Sequence, residues 1–225
     1  MLAENRTIKQ HFTNNGVSYS ITFKHNNPVP QGIISGPNPF TVLRCFSKGR
    51  VQKQQSLELP KSKVIKIEKI MNKQLYERFA IEIKFMSEKY PQKDFEDIMQ
   101  HLFHGSYLVN PSQIYDDSSI GFDFRLSNDK CLYGRGAYFA KNSGYSDSYR
   151  YKIPNSFQYQ IFVALVLTGN SVTLNKTEPD LRAPPYKPGS KIWRFDSVHN
   201  GLQDHYIVYD HYKAYPGYLI TYEAI

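Results

Sequence analysis

The sequence has little cysteine and no long apolar run, and each absence excludes a class of protein. Its 225 residues include 2 cysteines, Cys45 and Cys131, which lie far apart and outside any CxxC motif. This spacing gives neither a disulfide framework nor a zinc site. The apolar runs are too short to span a bilayer, and no signal-peptide pattern follows Met1. We therefore expect an intracellular protein, cytoplasmic or nuclear, that does not enter a membrane.

The sequence is basic, with 28 Lys and Arg residues against 20 Asp and Glu residues and a net charge of +8. Much of the excess lies between Lys48 and Lys73. A basic surface favours phosphate-bearing partners, so nucleic acid is one candidate partner. The alternative is a solvated lysine-rich face. We favour that alternative because aromatic residues do not alternate with these lysines, as they do along single-stranded nucleic-acid sites.

Aromatic residues are abundant, with 18 Tyr and 14 Phe against a single Trp, and this load favours β-structure. One amphipathic helix is predicted from an N-cap at Asn72 to about Tyr90. Many strands are predicted, the last two joined by a turn at Tyr215–Gly217. The predicted strands are Val17–Phe23, Phe40–Phe46, Val64–Ile70, Tyr159–Leu167, His205–Tyr209 and Tyr218–Tyr222. A helical section followed by many strands predicts an α+β fold.

Two regions differ in how much their sequence predicts. Residues 1–60 contain a proline-rich loop but no repeat and no catalytic signature. We interpret them as an N-terminal extension or a small accessory module, to which the sequence assigns no function. Residues 61–225 are predicted to form the main domain, a chain length sufficient to bury its own core.

The stretch Cys131–Tyr151 combines three kinds of local structure in few residues. Gly134 and Gly136 flank one residue and indicate a sharp turn or a close approach of the backbone. The apolar run Ala137–Ala140 that follows is typical of a short buried strand. After a break, Tyr145, Ser146, Ser148 and Tyr149 have spacings that suit a short helix. The stretch therefore predicts three walls of a cleft.

Three motifs occur in a defined order along the chain: LFHGS at Leu102–Ser106, YGRGAYFA at Tyr133–Ala140 and HYIVYDHYKAYPGYLITY at His205–Tyr222. Together they resemble the catalytic domain of the poly(ADP-ribose) polymerase family, from about Lys63 to the C-terminus. Each motif alone is weak, and GRGAYF does not match the GxGxxG dinucleotide pattern. The chain is most similar to the smaller members without a regulatory helical domain, because its predicted helix leads almost directly to LFHGS.

The resemblance implies an ADP-ribosyltransferase fold of the α+β class, in which two packed antiparallel β-sheets form an NAD cleft and helices flank them. Members of this family break the bond between nicotinamide and ribose, and the reaction passes through an oxocarbenium-like ribose. The resemblance therefore implies NAD+ as a substrate and a protein acceptor as partner. We expect no metal, no membrane partner and a monomer.

The family's site residues carry over onto matching positions. His104 is implied to bind a ribose hydroxyl, while the Gly105 backbone and the Ser146 hydroxyl would bind the nicotinamide carboxamide. Tyr138 would line the pocket and Tyr149 would stack on the nicotinamide ring. The other residues implied to bind NAD+ are Ser106, Arg125, Tyr133, Gly134, Phe139 and Ala140.

Structural alternatives exist for individual residues. The pair His101 and His104 also has the spacing of two metal ligands, but no second Cys/His pair lies nearby in sequence, which disfavours a metal. Tyr138 alone would be a core residue and Tyr149 a surface aromatic. Arg125 is implied for the phosphates of the dinucleotide because it lies in GFDFRLS, the segment that covers NAD+ in the family.

The catalytic signature departs from the family at its third position. Polymerising members carry Glu at the start of the strand that reads HYIVY here, and this position is His205, so the triad is His104, Tyr138 and His205. A neutral imidazole accepts one hydrogen bond but brings no negative charge. Asp204 is predicted to point to the opposite face of the strand, and Asp210 to lie beyond its end.

Family members without this Glu are typically mono-ADP-ribosyltransferases, and some are inactive. The leading hypothesis is therefore a mono-ADP-ribosyltransferase that moves ADP-ribose from NAD+ to a protein and releases nicotinamide. One alternative is a catalytically weak or inactive pseudoenzyme that binds NAD or ADP-ribose. Another is ADP-ribosylation of nucleic acid.

Overall fold

A computed structural model describes residues 8–14, 17–23, 62–116, 120–126, 131–201 and 205–224. For the first two ranges and for residues 95 and 96 it describes the backbone alone. The predicted strand Phe40–Phe46 and Asp204 lie outside the described residues. The division at residues 60 and 61 stays a prediction.

Helices are few. The α-helices are α1 (Lys73–Lys89), α2 (Phe95–Ile98), α3 (Pro111–Tyr115) and α4 (Ser143–Asp147), and two 3-10 helices span Phe124–Leu126 and His211–Lys213. The predicted N-cap of α1 is confirmed, because the Asn72 side chain accepts a hydrogen bond from the Leu75 N–H at 3.1 Å. The apolar stripe of α1 buries Leu75, Phe79 and Met86 against the sheet.

The strands are β1 (Ile8–Asn14), β2 (Val17–Phe23), β3 (Ser62–Lys69), β4 (Met99–His104), β5 (Ala137–Ala140), β6 (Tyr151–Lys152), β7 (Gln158–Leu167), β8 (Ser171–Leu174), β9 (Ser197–Asn200), β10 (His205–Val208) and β11 (Ala214–Ala224). Their order in the sheet is β1-β2-β3-β11-β7-β4-β5-β10-β9-β8, with β6 added on β7. Most pairs are antiparallel, whereas β2–β3 and β8–β9 are parallel.

The sheet consists of two halves that meet at one residue pair. β4 and β5 are joined only through Phe103 and Ala140. Leu102 and Phe162 from one half pack with Phe139 and Tyr206 from the other in the main apolar cluster. The predicted α+β class with mostly antiparallel strands is confirmed; the strands form one sheet whose two halves meet at the end of β4.

The turn predicted at Tyr215–Gly217 is wrong, because these residues lie inside the long strand β11. The pairing of β11 with β7 shifts register between Tyr215 and Tyr218. A proline has no N–H for a regular ladder, and a bulge accommodates it without ending the strand. Within the described ranges, every helix is too short or too polar to cross a membrane.

Candidate active site

His104 ends β4 with its side chain held on two sides. Its ring lies 4.9 Å from the Phe122 ring and 5.3 Å from the Phe139 ring, measured between centroids. Its Nδ1 lies 2.7 Å from the Tyr138 carbonyl oxygen. Because a carbonyl only accepts, Nδ1 carries the hydrogen and Nε2 is left as an acceptor. Burial lowers the pKa of His104, and the hydrogen bond to Tyr138 opposes this shift, so the neutral form predominates.

Gly105 lies directly against the end of α4. A Cβ atom at this position would lie 2.3 Å from the Tyr149 carbonyl oxygen and 2.5 Å from the Ser146 carbonyl oxygen. No larger residue fits without moving the backbone. The Tyr107 N–H donates to the same Tyr149 oxygen at 2.8 Å. The His-Gly motif and α4 therefore form one wall.

The helix α4 holds the two residues predicted for nicotinamide. Asn142 caps it by accepting a hydrogen bond from the Gly144 N–H at 2.6 Å. Ser146 is buried, and Tyr149, just beyond the helix, is 46% exposed. On the neighbouring motif, the Ser106 hydroxyl is buried and has no hydrogen-bond partner among the described residues. The His-Gly motif thus packs tightly on α4, and the unused Ser106 hydroxyl beside this contact is available to a polar ligand group.

Tyr138 is fixed by hydrogen bonds to the loop that precedes its strand. Its hydroxyl donates to the Gly134 carbonyl at 2.8 Å and accepts from the Tyr133 N–H at 3.0 Å. Burial is the largest cause that raises the pKa of Tyr138 above its ordinary value, so the side chain is a neutral phenol. Gly134 has φ +76°, and a Cβ there would lie 2.2 Å from the Leu181 carbonyl oxygen.

His205 begins β10, on the far side of β5 from His104. Ala140 is in register with Phe103 of β4 and with His205 of β10. Tyr138 is opposite Ile207, so Tyr138 and His205 share one face of β5 and β10. His104 instead contacts the Phe139 side of β5 and reaches Tyr138 through its carbonyl. The structure thus brings the three predicted residues onto three adjacent strands, about 10 Å across.

Tyr145 covers His205. The two ring centroids lie 3.6 Å apart, and His205 is 3% exposed. The Tyr145 hydroxyl donates to the Tyr149 hydroxyl at 3.4 Å. Burial is the largest cause that raises the pKa of Tyr145. No local sequence signal predicts this role of Tyr145, because its contact with His205 joins positions far apart in the chain.

Arg125 is engaged by a neighbouring carboxylate. Its Nε and Nη2 donate to the two oxygens of Asp123 at 2.8 and 2.7 Å. These hydrogen bonds are the largest cause that lowers the pKa of Asp123. The Phe124 ring stacks on His211 at 4.2 Å and anchors this segment. A phosphate would have to compete with Asp123 for the guanidinium, so a phosphate role for Arg125 stays a prediction.

The remaining predicted residues surround these groups. Tyr133 is buried, and its carbonyl accepts from the Tyr209 hydroxyl at 2.5 Å. Phe139 and Ala140 are buried within β5. Asp210 lies beyond the end of β10, as predicted, where its carboxylate accepts from the Tyr212 N–H at 3.0 Å. Within the described ranges, no group of three or more His, Cys, Asp or Glu side chains is placed to hold a metal ion.

Comparison with known proteins gives a consistent set of relatives. The family model of the poly(ADP-ribose) polymerase catalytic domain matches residues 46–199. A probable poly(ADP-ribose) polymerase of Dictyostelium discoideum is 35% identical over 164 residues, which cover 71% of this chain and 44% of the relative. The mouse protein mono-ADP-ribosyltransferase PARP12 is 30% identical over 169 residues, covering 74% of this chain and 22% of the relative. The mouse protein mono-ADP-ribosyltransferase PARP10 is 28% identical over 163 residues, covering 71% and 16%. The chain spans less than half the length of these relatives.

Proposed function

The chain belongs to the poly(ADP-ribose) polymerase catalytic-domain family, and we propose that it transfers one ADP-ribose unit from NAD+ to a protein acceptor. The observation that carries this proposal is the placement of β5. Its Tyr138 lies between the strand that ends in His104 and the strand that begins with His205. Rigid strands thereby fix all three groups, with Tyr138 and His205 on one face of β5 and β10 and His104 against the Phe139 side of β5.

The nicotinamide end of NAD+ would bind beside the wall that the His-Gly motif and α4 form together. A carboxamide needs both a donor and an acceptor. The Gly105 backbone offers both, and the buried Ser146 hydroxyl lies on the helix packed against it. Tyr149 is exposed enough to stack on the ring. The unpartnered Ser106 hydroxyl supplies a further polar contact.

The ribose would bind at His104. Since Nδ1 donates to the Tyr138 carbonyl, Nε2 can accept a hydrogen bond from a ribose hydroxyl. The bond from C1′ to nicotinamide breaks with its electron pair leaving on nicotinamide, and the ribose becomes oxocarbenium-like. The acceptor oxygen then bonds to C1′. Burial keeps His104 neutral, which avoids placing a positive charge beside the developing cation.

Transfer would stop after one unit because the third triad position carries His205 in place of a glutamate. His205 occupies that position, and the Asp210 carboxylate is used as a cap beyond the strand. An acceptor carboxylate could supply the negative charge once, and it is consumed on reaction. The mouse relatives PARP10 and PARP12 are both named mono-ADP-ribosyltransferases, which supports the transfer of a single ADP-ribose unit.

One observation favours a second candidate function. His205 is 3% exposed beneath Tyr145, which restricts access to the third triad position. A pseudoenzyme that binds NAD+ without turnover would tolerate this cover.

Incubation with labelled NAD+ distinguishes monotransfer from binding without turnover. Nicotinamide release together with a single labelled species on a gel supports monotransfer, and a ladder of products contradicts it. Saturable NAD+ binding without nicotinamide release supports the pseudoenzyme. A Tyr138→Ala variant is the matched control, because it removes a predicted pocket residue while leaving the acceptor unchanged.

A further inference from the structure

A surface that begins beside the loop of the proposed NAD+ site has the composition of a nucleic-acid site. Residues 181–195, LRAPPYKPGSKIWRF, contain four cations, three aromatic residues and no acidic residue. We propose that this basic hairpin binds single-stranded nucleic acid. It differs from the lysine-rich stretch 48–73, which has no aromatic residue, because here cations and aromatic rings alternate as they do in single-strand sites.

The basic hairpin is built as a defined structure. Tyr186 and Arg194 form an antiparallel bridge. The Lys187 N–H donates to the Trp193 carbonyl at 2.8 Å, and the Ser190 hydroxyl accepts from the Trp193 N–H at 2.8 Å. The tip is therefore ordered before any ligand binds, which reduces the entropy lost on binding.

Two of the three aromatic residues of the hairpin are exposed. Trp193, the single tryptophan of the chain, is 65% exposed, and Tyr186 is 46% exposed. The Arg194 guanidinium lies 3.7 Å from the centre of the Tyr186 ring. Arginine stacked on an aromatic ring extends a flat cationic surface on which a base can stack.

A cavity of about 270 Å³ lies at the base of the hairpin. Lys89, Arg194 and Lys213 line it, together with Asp196 and Asp210. Asp196 is 3% exposed and already accepts from Lys89 at 2.6 Å, so its charge is directed away from solvent. The lining has three cations against two carboxylates, with Lys89 paired to Asp196, and the net positive charge that remains beside the stacking surface fits a backbone phosphate.

Alternating rings and cations favour nucleic acid over an acidic peptide. A peptide of Asp and Glu would use the cations but would leave Trp193 and Tyr186 without a stacking partner. A strand of nucleic acid contacts both the rings and the cations, because every base has a flat aromatic face and every phosphate linkage has a negative charge. The Arg135 N–H donates to the Leu181 carbonyl at 3.0 Å, so the hairpin begins beside the loop that carries the proposed site.

Binding is tested on the full chain without NAD+, so its failure is independent of the proposed transfer. The probe is an oligothymidylate of about 20 nucleotides, longer than the few nucleotides that such surfaces cover. We expect it to quench the fluorescence of Trp193. With a labelled probe, Trp193→Ala should weaken binding about 5-fold or more, given what stacking on one ring contributes.

The charge contribution is tested with two matched pairs of variants. Arg182 and Lys191 are exposed cations of the hairpin. Replacing both by Ala should reduce the slope of log affinity against log salt by about 1.4, or about 0.7 for each phosphate contact. The control replaces Lys84 and Lys176, whose side chains are 77% and 84% exposed elsewhere, and should leave the slope unchanged.

Four outcomes would overturn the proposal. The first is that the probe does not bind at low salt, and the second is that the control pair weakens probe binding as much as the hairpin pair does. The third is that a duplex binds more tightly than the single strand. The fourth is that polyglutamate binds as tightly as the probe and that Trp193→Ala does not weaken this binding. The last outcome would assign the surface to an acidic protein partner.

Discussion

The Tyr145 ring lies over the His205 imidazole with the two centroids 3.6 Å apart. The Tyr145 hydroxyl also contacts the Tyr149 hydroxyl at 3.4 Å. One residue of α4 therefore connects the third triad position to the ring predicted to stack on nicotinamide. His205 cannot change its orientation unless Tyr145 moves with it.

Substitution of Tyr145 separates its ring from its hydroxyl. Tyr145→Phe keeps the cover over His205 and loses one hydrogen bond to Tyr149, so KM for NAD+ should rise about 2- to 10-fold with kcat retained. Tyr145→Ala also removes the ring packing and should lower kcat. Steady-state nicotinamide release measures KM and kcat for both variants. Equal effects of the two variants on kcat would show that the ring does not position His205.

His205→Glu should raise activity or permit chain extension, because it restores a carboxylate at the position that binds the ribose 2′-OH in polymerising relatives. His205→Gln is the matched control, since glutamine has nearly the same shape as glutamate but carries no charge. Gel analysis of labelled products and nicotinamide release are the two measurements. If the Glu variant behaves like the parent, either the register or the role assigned to His205 is wrong.

The local elements of this fold were predictable from the sequence. The helix predicted from Asn72 to Tyr90 and the strand predicted at Tyr159–Leu167 correspond to α1 and β7 within one residue at each end. Their periodicity is strong, and a cap and a proline mark the ends of α1. The prediction failed at Pro216, where a long antiparallel partner strand outweighs the local preference for a turn.

The sequence predicts residues for the site but not the contacts among them. The order of the motifs predicts His104, Tyr138 and Ser146, and their roles stay predictions. The cover of His205 by Tyr145 depends on the packing of α4 against β10 and has no local signal. The pairing of Arg125 with Asp123 did have one, since the two lie two residues apart in GFDFRLS. A guanidinium assigned to a phosphate should first be checked against adjacent carboxylates.

Gly105→Ala should abolish NAD+ binding and destabilise the fold by about 1–3 kcal/mol, as overpacking does. The added Cβ would lie 2.3 Å from the backbone oxygen of Tyr149, which cannot rotate away. Gly189→Ala is the control for activity: its Cβ would meet nothing within 4 Å, so the strain at φ +74° should cost roughly 1–2 kcal/mol of stability without changing nicotinamide release. Thermal unfolding and nicotinamide release are measured together. Full activity in Gly105→Ala would contradict the proposed carboxamide site.

The free energy of unfolding should fall as the pH is lowered from about 6.5 to 4. Burial lowers the pKa of His101 to about 4 and also lowers the pKa of His104. In this window the unfolded chain binds protons that the folded chain does not, so acidification favours unfolding. His101→Asn removes one group and should flatten the profile by roughly 2–3 kcal/mol at its acid end. Parallel profiles for the two proteins would show that His101 titrates normally when folded.

Asp196→Ala should destabilise the protein by about 3 kcal/mol or more, because it leaves buried donors without an acceptor. The Asp196 carboxylate accepts from Lys89 Nζ at 2.6 Å, the Tyr90 hydroxyl at 2.5 Å and the Asn170 N–H at 2.9 Å. It thereby ties the end of α1 to the start of β9.

Glu88→Ala is the control for Asp196→Ala, since Glu88 pairs with Lys84 at 3.9 Å on the exposed face of the same helix and should change the stability by less than about 0.5 kcal/mol. Denaturant unfolding at neutral pH measures the free energy of unfolding of the Asp196→Ala and Glu88→Ala variants. Burial raises the pKa of Asp196, but the hydrogen bonds from Lys89, Tyr90 and Asn170 together lower it below its ordinary value. The contribution of Asp196 should therefore persist above the unfolded value of 3.8 and disappear as the pH falls through the folded one. Equal small losses for Asp196→Ala and Glu88→Ala would mean that the buried carboxylate contributes no more than a surface pair.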